Sequence, residues 1–535
     1  MDHRADARSP RQHAVGLLLL VALLGLLLAS FRDYGIMLDE GVQHRYGRRL
    51  LRAYASWGED LGAATQNDLY LYGGFFELVA QAGERLLPFG VYESRHLTNA
   101  LFGFLGFVAV WGMASRLAGP AAGALAVVVL ALTPSYYGQL FANPKDIPLA
   151  TLYALAAWLA LRGSERTPPG WRAVVATGVA IGLAAAVRVV GLSLVPLTIV
   201  LWAGIHWARR PQAGDSIRGS WRFGAAGLAL LAVSWTVMVA FWPWALLDPL
   251  RHPLQAWGRF AHFWNTDVLW KGRLVPAEDL PRTYILQMLA LKLPELYPVA
   301  LLLGVVAACR APWGGLVREP AARVRLFATG WVLLLAAAPV SWVVVNRTPL
   351  YHECRHLLFV FPFLAVLSAV GIAAFFASRP PRVARIAAML LLGGLGLATL
   401  VDMLQLHPYQ YAYYNRLFAG GLRGAADRYE TDYYVATYRE ALDWAVGQYG
   451  STDRSERVRV AAVRAEFPIA YYLRDEERHR VCDAVTLAQD PHLVLASGSY
   501  REQDQVAGRV VHVVRRQGAP LLYVFETKPP RSGDR

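Results

Sequence analysis

The run AVGLLLLVALLGLLLASF, residues 14–31, contains no charged side chain and points to a membrane protein. An apolar segment of about 18 residues or more is long enough to cross the hydrocarbon core of a bilayer as a helix. Basic residues precede the run, so a cleaved signal peptide is an alternative, although the apolar core of such peptides usually spans only about 7 to 15 residues. We therefore expect residues 14–31 to form a first membrane helix.

Comparable apolar windows recur along the chain. Its 535 residues are 55% hydrophobic and only 17% charged, whereas soluble domains carry roughly 25% charged residues. Backbone polar groups must be satisfied within the segment in lipid, which favours helices. The pattern predicts an all-α polytopic membrane domain. About eleven membrane helices are expected, in the windows 14–31, 97–118, 121–140, 146–162, 173–187, 189–208, 222–247, 290–309, 324–346, 356–378 and 383–404.

The formal net charge of +14 is spread over alternate short loops, which argues against a nucleic-acid-binding face. Loops rich in arginine face the cytoplasm by the positive-inside rule. The N-terminus is therefore expected inside the cell and the protein in the inner (cytoplasmic) membrane. The loops 32–96 and 248–289 and the segment after residue 405 are expected on the outer, periplasmic side. The arginine-rich loops contain Arg4, Arg8, Arg11, Arg162, Arg166, Arg172, Arg209, Arg210, Arg218, Arg222, Arg310, Arg318, Arg323, Arg325, Arg379, Arg382 and Arg385.

The segment after residue 404 is more polar than the rest of the chain. Short β-like runs separated by polar or Gly-containing turns are typical of a small sheet. We therefore predict a membrane domain at 1–404 and a small C-terminal α/β outer domain at 405–535. The β-like runs lie at 457–463, 492–497, 510–514 and 521–526.

The first outer loop begins with DEGVQHRYGRRLL, residues 39–51, whose apolar spacing predicts an amphipathic helix on the membrane surface. A second amphipathic stretch follows at 71–87. Asp39 and Glu40 suit helix capping and acid–base chemistry equally well. Glu40 and His44 share a helix face at i and i+4, a spacing that suits a hydrogen bond or two ligands of one metal ion.

Further charged side chains lie at the outer edges of apolar windows. In the loop Asn-Pro-Lys-Asp, Lys145 supplies positive charge for a phosphate, and Asp146 either caps the next helix or serves function. In the loop Tyr-His-Glu-Cys-Arg-His, the planar fork of Arg355 suits a phosphate, and an interfacial anchor is the alternative. Snorkelling towards the interface is the simple explanation of Arg188.

The acidic pair, the Asn-Pro-Lys-Asp loop and the segment RHLLFVFPFL at 355–364 together resemble the GT-C class of integral membrane glycosyltransferases. More narrowly, the chain is similar to bacterial relatives of protein O-mannosyltransferases and lipid A aminoarabinose transferases, in glycosyltransferase family 39. The likeness covers roughly residues 14–404. It implies a hexosyl- or pentosyltransferase that moves a sugar from a polyprenyl phosphate carrier to an acceptor on the outer face of the membrane.

The resemblance implies that Asp39 is the general base, which takes a proton from the acceptor as the sugar is transferred with inversion. Glu40 is the second candidate for that role. A divalent metal cation is left open as a cofactor, with Glu40 and His44 as its candidate ligands.

The remaining candidate residues are expected to hold the substrates. Lys145, Arg355 and His352 are predicted to bind the donor phosphate and to stabilise the departing negative charge. Asp146 and His44 are predicted to position the acceptor or the site itself. The expected partners are a polyprenyl phosphate sugar lipid, a glycolipid, glycan or protein acceptor, and membrane lipids.

A transporter or flippase of a lipid-linked sugar is the main alternative, because it would share the hydropathy of the chain. Such a protein is expected to carry charges deep inside its helices or to show repeat symmetry, and the sequence shows little of either. A non-enzymatic scaffold that binds an envelope partner through its C-terminal segment is the third interpretation.

Overall fold

In the computed structural model, the described residues are 9–65, 67–209, 220–260, 266–311, 318–450 and 457–527. Each of the eleven apolar windows contains a helix, and the predicted polytopic helical architecture is confirmed. The helices are Ser9–Ser30, Val91–Ala118, Pro120–Ala131, Asp146–Gly163, Trp171–Ala185, Leu194–Arg209, Ser220–Ala240, Leu296–Arg310, Pro320–Asn346, Phe361–Ala377 and Arg382–Leu406.

The number of membrane spans stays a prediction. Within the described ranges, seven helices are long and apolar enough to cross a membrane, or eight if one bent pair counts as a span. The helices Pro120–Ala131 and Trp171–Ala185 contain 12 and 15 residues, fewer than the roughly 20 that a perpendicular span needs.

Two amphipathic helices follow the first membrane helix, as the sequence predicts. They are Glu40–Ala55, called here the first surface helix, and Phe75–Leu86, the second. Buried residues recur every three or four positions along the first surface helix, at Tyr46, Leu50 and Ala53. This helix packs on the second surface helix. This packing fixes the start of the first surface helix, where the acidic pair lies.

A sharp bend interrupts the chain before the helix Leu296–Arg310. The preceding helix Tyr284–Lys292 meets it at 99°. Lys292 lies at this bend with no exposed surface, and its Nζ is 2.6 Å from a carboxylate oxygen of Glu353. A buried lysine needs such a partner, so the bend and the loop before Arg355 are held together.

The C-terminal segment forms the strands β3 (Val458–Ala462), β4 (Cys482–Ala484), β5 (Leu493–Ser497), β6 (Arg509–Arg516) and β7 (Ala519–Glu526). They make one mixed sheet in the order β4-β3-β5-β7-β6. Strand β3 is parallel to β4 and β5, and β7 is antiparallel to β5 and β6. The helices Tyr438–Tyr449, Phe467–Tyr472 and Glu476–Val481 accompany it, which confirms the predicted small α/β region.

The loop 248–289 also holds a hairpin that the sequence analysis did not predict. Its strands are β1 (Asp267–Trp270) and β2 (Arg273–Pro276), and both residues of the turn, Lys271 and Gly272, have positive φ. Trp270 forms an isolated bridge with Tyr429, so the hairpin contacts the C-terminal segment.

The backbone of the C-terminal segment approaches the rest of the chain closely at two glycines. A Cβ atom at Gly138 would overlap the backbone nitrogen of Tyr411, and one at Gly35 would overlap the carbonyl oxygen of Ala436. Backbone atoms cannot move aside as flexible side chains do, so these positions require glycine.

We expect Gly138→Ala to lower the free energy of unfolding by about 1–3 kcal/mol, the usual cost of overpacking. The purified full-length protein in detergent would show this as a lower thermal melting temperature. Gly330→Ala is the matched control, because nothing lies within 4 Å of a Cβ atom at that helical glycine. Equal melting of the two variants would contradict the close contact at Gly138.

Candidate active site

Asp39 lies at the N-cap position of the first surface helix, but its side chain makes no capping hydrogen bond. Its Oδ2 atom accepts a hydrogen bond from Arg355 Nη1 at 3.2 Å and lies 3.5 Å from Lys145 Nζ. The side chain is 27% exposed. The structure therefore unites three sequence-predicted site residues and leaves one face of the carboxylate accessible.

The two cations control the ionisation of Asp39. Burial alone would raise the pKa of the carboxyl group, but the charges of Lys145 and Arg355 outweigh it and hold the pKa well below its usual value. The carboxylate is therefore ionised at any physiological pH.

Glu40 belongs to a different contact network from Asp39. Its Oε2 atom accepts a hydrogen bond from the Met37 backbone N–H at 2.9 Å and lies 3.0 Å from His96 Nε2. Only 1% of Glu40 is exposed. It anchors the loop that leads into the first surface helix.

The predicted metal pair is not assembled. His44 Nδ1 lies 3.0 Å from Glu84 Oε1 and 3.3 Å from Gln81 Nε2, whereas Glu40 contacts His96. No group of three or more His, Cys, Asp or Glu side chains suited to a metal ion occurs in the part of the chain that the structure describes. Glu40 and His44 share a helix face, but their side chains do not converge on one metal position, because each contacts a residue on another helix.

Asp146 begins the helix Asp146–Gly163 and is 3% exposed. Asn143 caps this helix start, since its Oδ1 accepts from the Asp146 backbone N–H at 2.9 Å. The Asp146 carboxylate accepts from Asn143 Nδ2 at 2.9 Å and pairs with Arg188 Nη2 at 2.7 Å. Arg188, which the sequence analysis explained by snorkelling, is instead a partner in a buried ion pair.

Lys145 is confined between aromatic and polar neighbours. Its Nζ lies 5.1 Å from the centroid of the Tyr72 ring, within the range of a cation–π contact. With its amide oriented to satisfy both neighbours, Gln43 accepts from Lys145 Nζ at 3.2 Å and donates to Glu77 at 3.1 Å. The ammonium group is thereby directed towards Asp39.

Tyr434 of the C-terminal segment joins the two charge pairs. Its hydroxyl oxygen accepts hydrogen bonds from Arg355 Nη1 at 3.1 Å and from Asn143 Nδ2 at 3.0 Å. Tyr434 follows Tyr429 and Tyr433 in a stretch rich in tyrosine, but the local sequence gives no other reason to select it. The only available signal was that clustering of tyrosines, because the partners lie far away in the chain.

His352 and Glu353 precede Arg355, and both have positive φ, at 55° and 63°. Contacts from the C-terminal segment hold this unusual backbone. The Tyr500 hydroxyl lies 2.6 Å from His352 Nε2, and the Tyr414 hydroxyl donates to Glu353 at 2.9 Å. Burial and the Arg355 charge lower the pKa of His352 well below its usual value, so it is neutral.

An apolar cavity of about 500 Å³ lies beside these charges. Its walls come mostly from apolar side chains, while Arg188, His356, three tyrosines, Ser193 and Thr348 supply the polar groups. Within the described residues, Arg188 Nε, Arg355 Nε and His356 Nδ1 are buried without a hydrogen-bond partner. Three cations face only two carboxylates here, and unused donors remain, which is the environment of an anion site. The cavity is lined by Tyr72, Tyr153, Arg188, Val189, Val190, Ser193, Pro196, Leu197, Trp257, Ala338, Pro339, Trp342, Val343, Thr348, Pro349, Leu350, Tyr351, His356, Leu357 and Phe359.

Residues 81–244 match the family model of dolichyl-phosphate-mannose-protein mannosyltransferases. ArnT from Cupriavidus metallidurans bound to undecaprenyl phosphate has a similar structure, with a TM-score of 0.51 at 17% identity over 95% of this chain and 97% of that chain. The apo oligosaccharyltransferase of Archaeoglobus fulgidus has a TM-score of 0.48 at 11% identity, over 89% and 65%. No curated protein matches the chain by sequence. The family match and the ArnT fold confirm the resemblance to GT-C membrane glycosyltransferases.

Arg188→Met would leave the buried Asp146 carboxylate without its cation. Breaking a buried pair costs about 3–5 kcal/mol, and we expect this loss in the free energy of unfolding. The double variant D146N/R188M should recover part of it, because no lone charge remains. Denaturant unfolding of the purified protein measures both.

The control for this experiment is Arg501→Met. Arg501 and Asp504 form an ion pair whose side chains are about half exposed, so its loss should cost less than about 1 kcal/mol. If Arg188→Met lowers the free energy of unfolding no more than Arg501→Met does, the pair of Asp146 and Arg188 does not behave as a buried ion pair.

Proposed function

We propose that this protein is a glycosyltransferase that moves a sugar from a polyprenyl phosphate carrier to an acceptor on the outer face of the cytoplasmic membrane. The observation that carries the proposal is the position of the 500 Å³ apolar cavity next to a carboxylate and an excess of cations. Such a site can take a lipid tail, its phosphate and a polar acceptor together.

The donor fits the cavity by both shape and charge. Its polyprenyl chain would lie against the apolar walls of the cavity, because hydrocarbon is more stable when it is buried away from water. Its phosphate would accept hydrogen bonds from the unused Nε of Arg188 and from His356 in its Nδ1–H tautomer. Arg355, which precedes His356 in the chain, contacts Asp39. The ArnT structure, which contains undecaprenyl phosphate in a chain of similar fold, supports this assignment.

Transfer is proposed as one displacement. The acceptor oxygen forms a bond to the anomeric carbon while the bond from that carbon to the carrier phosphate breaks, which inverts the anomeric configuration. Asp39 takes the acceptor proton, and the polyprenyl phosphate leaves with the bonding electrons. The Asp39 carboxylate also counters the positive charge that develops on the sugar ring.

Donor binding would adjust Asp39 for this role. The free carboxylate is a weak base, because Lys145 and Arg355 hold its pKa far below its usual value. The negative charge of a phosphate bound at Arg188 would partly offset the positive charge of Lys145 and Arg355, which would raise the pKa of Asp39 and make it a better proton acceptor. The base is thus strengthened when the donor is in place.

The other predicted residues take supporting roles in this proposal. Asp146 holds Arg188 at the cavity, and neutral His352 holds the loop of Arg355 rather than contributing charge. Glu40 fixes the start of the first surface helix through Met37 and His96. Asp39 faces Lys145 and Arg355, and Asp146 faces Arg188, so protein side chains supply positive charge beside both carboxylates in this scheme.

Asp39→Asn keeps the size of the side chain and removes the base, so sugar transfer should fall by about 10²- to 10⁴-fold. The measurement is complementation in cells that lack the protein, with envelope glycolipids and glycans compared by mass spectrometry. Asp33→Asn is the control, because Asp33 pairs with His407 at the surface, away from the site. Full complementation by Asp39→Asn would refute the mechanism.

A second test addresses the cavity. Polyprenyl phosphate should raise the melting temperature of the purified protein, because a ligand that binds only the folded state stabilises it. Val190→Trp places an indole in the cavity and should abolish the increase, whereas Val200→Trp, on an exposed face of the helix Leu194–Arg209, should preserve it. Equal stabilisation of both variants would exclude this cavity as the lipid site.

A further inference from the structure

Tyr434 contacts the candidate site through its side chain at three points. The hydroxyl oxygen accepts from Arg355 Nη1 at 3.1 Å and from Asn143 Nδ2 at 3.0 Å, and the hydroxyl faces Gln139 Oε1 at 3.4 Å. The residue is 1% exposed. A tyrosine hydroxyl can donate one hydrogen bond and accept two, so this one is fully used.

The backbone of Tyr434 holds the other half of the site. Its carbonyl oxygen accepts a hydrogen bond of 3.0 Å from the backbone N–H of Leu38, the residue directly before Asp39. One residue of the C-terminal segment thus fixes the backbone that carries the proposed base and the side chain of the cation paired with it.

Arg355 has few other constraints. Among the described residues, its guanidinium group donates side-chain hydrogen bonds from Nη1 to Asp39 and to Tyr434. Its Nε atom is buried without a partner. The guanidinium also lies 5.2 Å from the centroid of the Tyr351 ring. Once a phosphate draws it away from Asp39, the hydroxyl of Tyr434 is the hydrogen-bonding contact that keeps it in place.

We propose that Tyr434 is a positioning residue for sugar transfer. Its hydroxyl keeps Arg355 directed at the space between Asp39 and the donor phosphate. The guanidinium can then stabilise the negative charge of the departing phosphate while it stays close to Asp39. This role rests on the proposed function. It acts through Arg355 and Asn143 and requires no contact between Tyr434 and the sugar.

The chain offers a matched control in the preceding residue. Tyr433 is also fully buried, but its hydroxyl has no hydrogen-bond partner among the described residues. Replacing either tyrosine by Phe keeps the ring and the backbone and removes only one oxygen. Tyr434→Phe and Tyr433→Phe therefore differ in the hydrogen bonds that are lost.

The test is steady-state kinetics of the purified full-length protein with a polyprenyl-phosphate-linked sugar, alongside melting temperatures. We expect Tyr434→Phe to lower kcat about 10- to 100-fold, the range produced by losing a hydrogen bond to a charged group, with the donor KM changed by less than about twofold. Tyr433→Phe should retain the wild-type kcat, and both variants should stay folded, with Tyr434→Phe melting at the lower temperature because it loses buried hydrogen bonds.

The possible results are distinguishable. A wild-type kcat in Tyr434→Phe, or a raised donor KM with unchanged kcat, would overturn the positioning role. Equal losses in the two Phe variants would also overturn it, because they would show a general effect of removing buried oxygen. If the wild-type protein transfers no sugar, the proposed function fails, and the positioning role fails with it.

Discussion

Charge pairing at the ends of the apolar helices is the constraint on which the rest of the site depends. Asp39 is held by Lys145 and Arg355, and Asp146 is held by Arg188. Ions at the border of hydrocarbon are costly unless they are paired, so these contacts fix the relative positions of loops that are far apart in the chain. The single cation in excess then gives the site an attraction for anions.

Much of the membrane architecture was predictable from the sequence, because lipid leaves few alternatives to the helix. A helix lies in each predicted window, and the strands β3, β5, β6 and β7 lie in or close to the predicted β-like runs. The contact of Asp39 with Lys145 and Arg355 could also be anticipated from the sequence. Each lies at an apolar boundary on the same predicted side, so sidedness alone reduced the possible partners.

The remaining parts of the site depend on tertiary contacts that local patterns do not contain. Glu40 and His44 share a helix face, yet Glu40 contacts His96 and His44 contacts Glu84, so the two side chains point to different helices. Arg188 resembled a snorkelling residue because its partner lies in another helix. Tyr434 gave no signal of its own, since a tyrosine reveals its role only when the atoms facing its hydroxyl are known.

The contact between Tyr434 and Arg355 has a consequence for the biogenesis of the protein. Membrane helices enter the bilayer in the order of their synthesis, but the residue that completes the site is made after the last of them. On the orientation proposed here, the C-terminal segment must cross the membrane and fold before Arg355 acquires its final alignment. If the proposed function and orientation hold, a newly inserted chain would be inactive until translocation of this segment is complete.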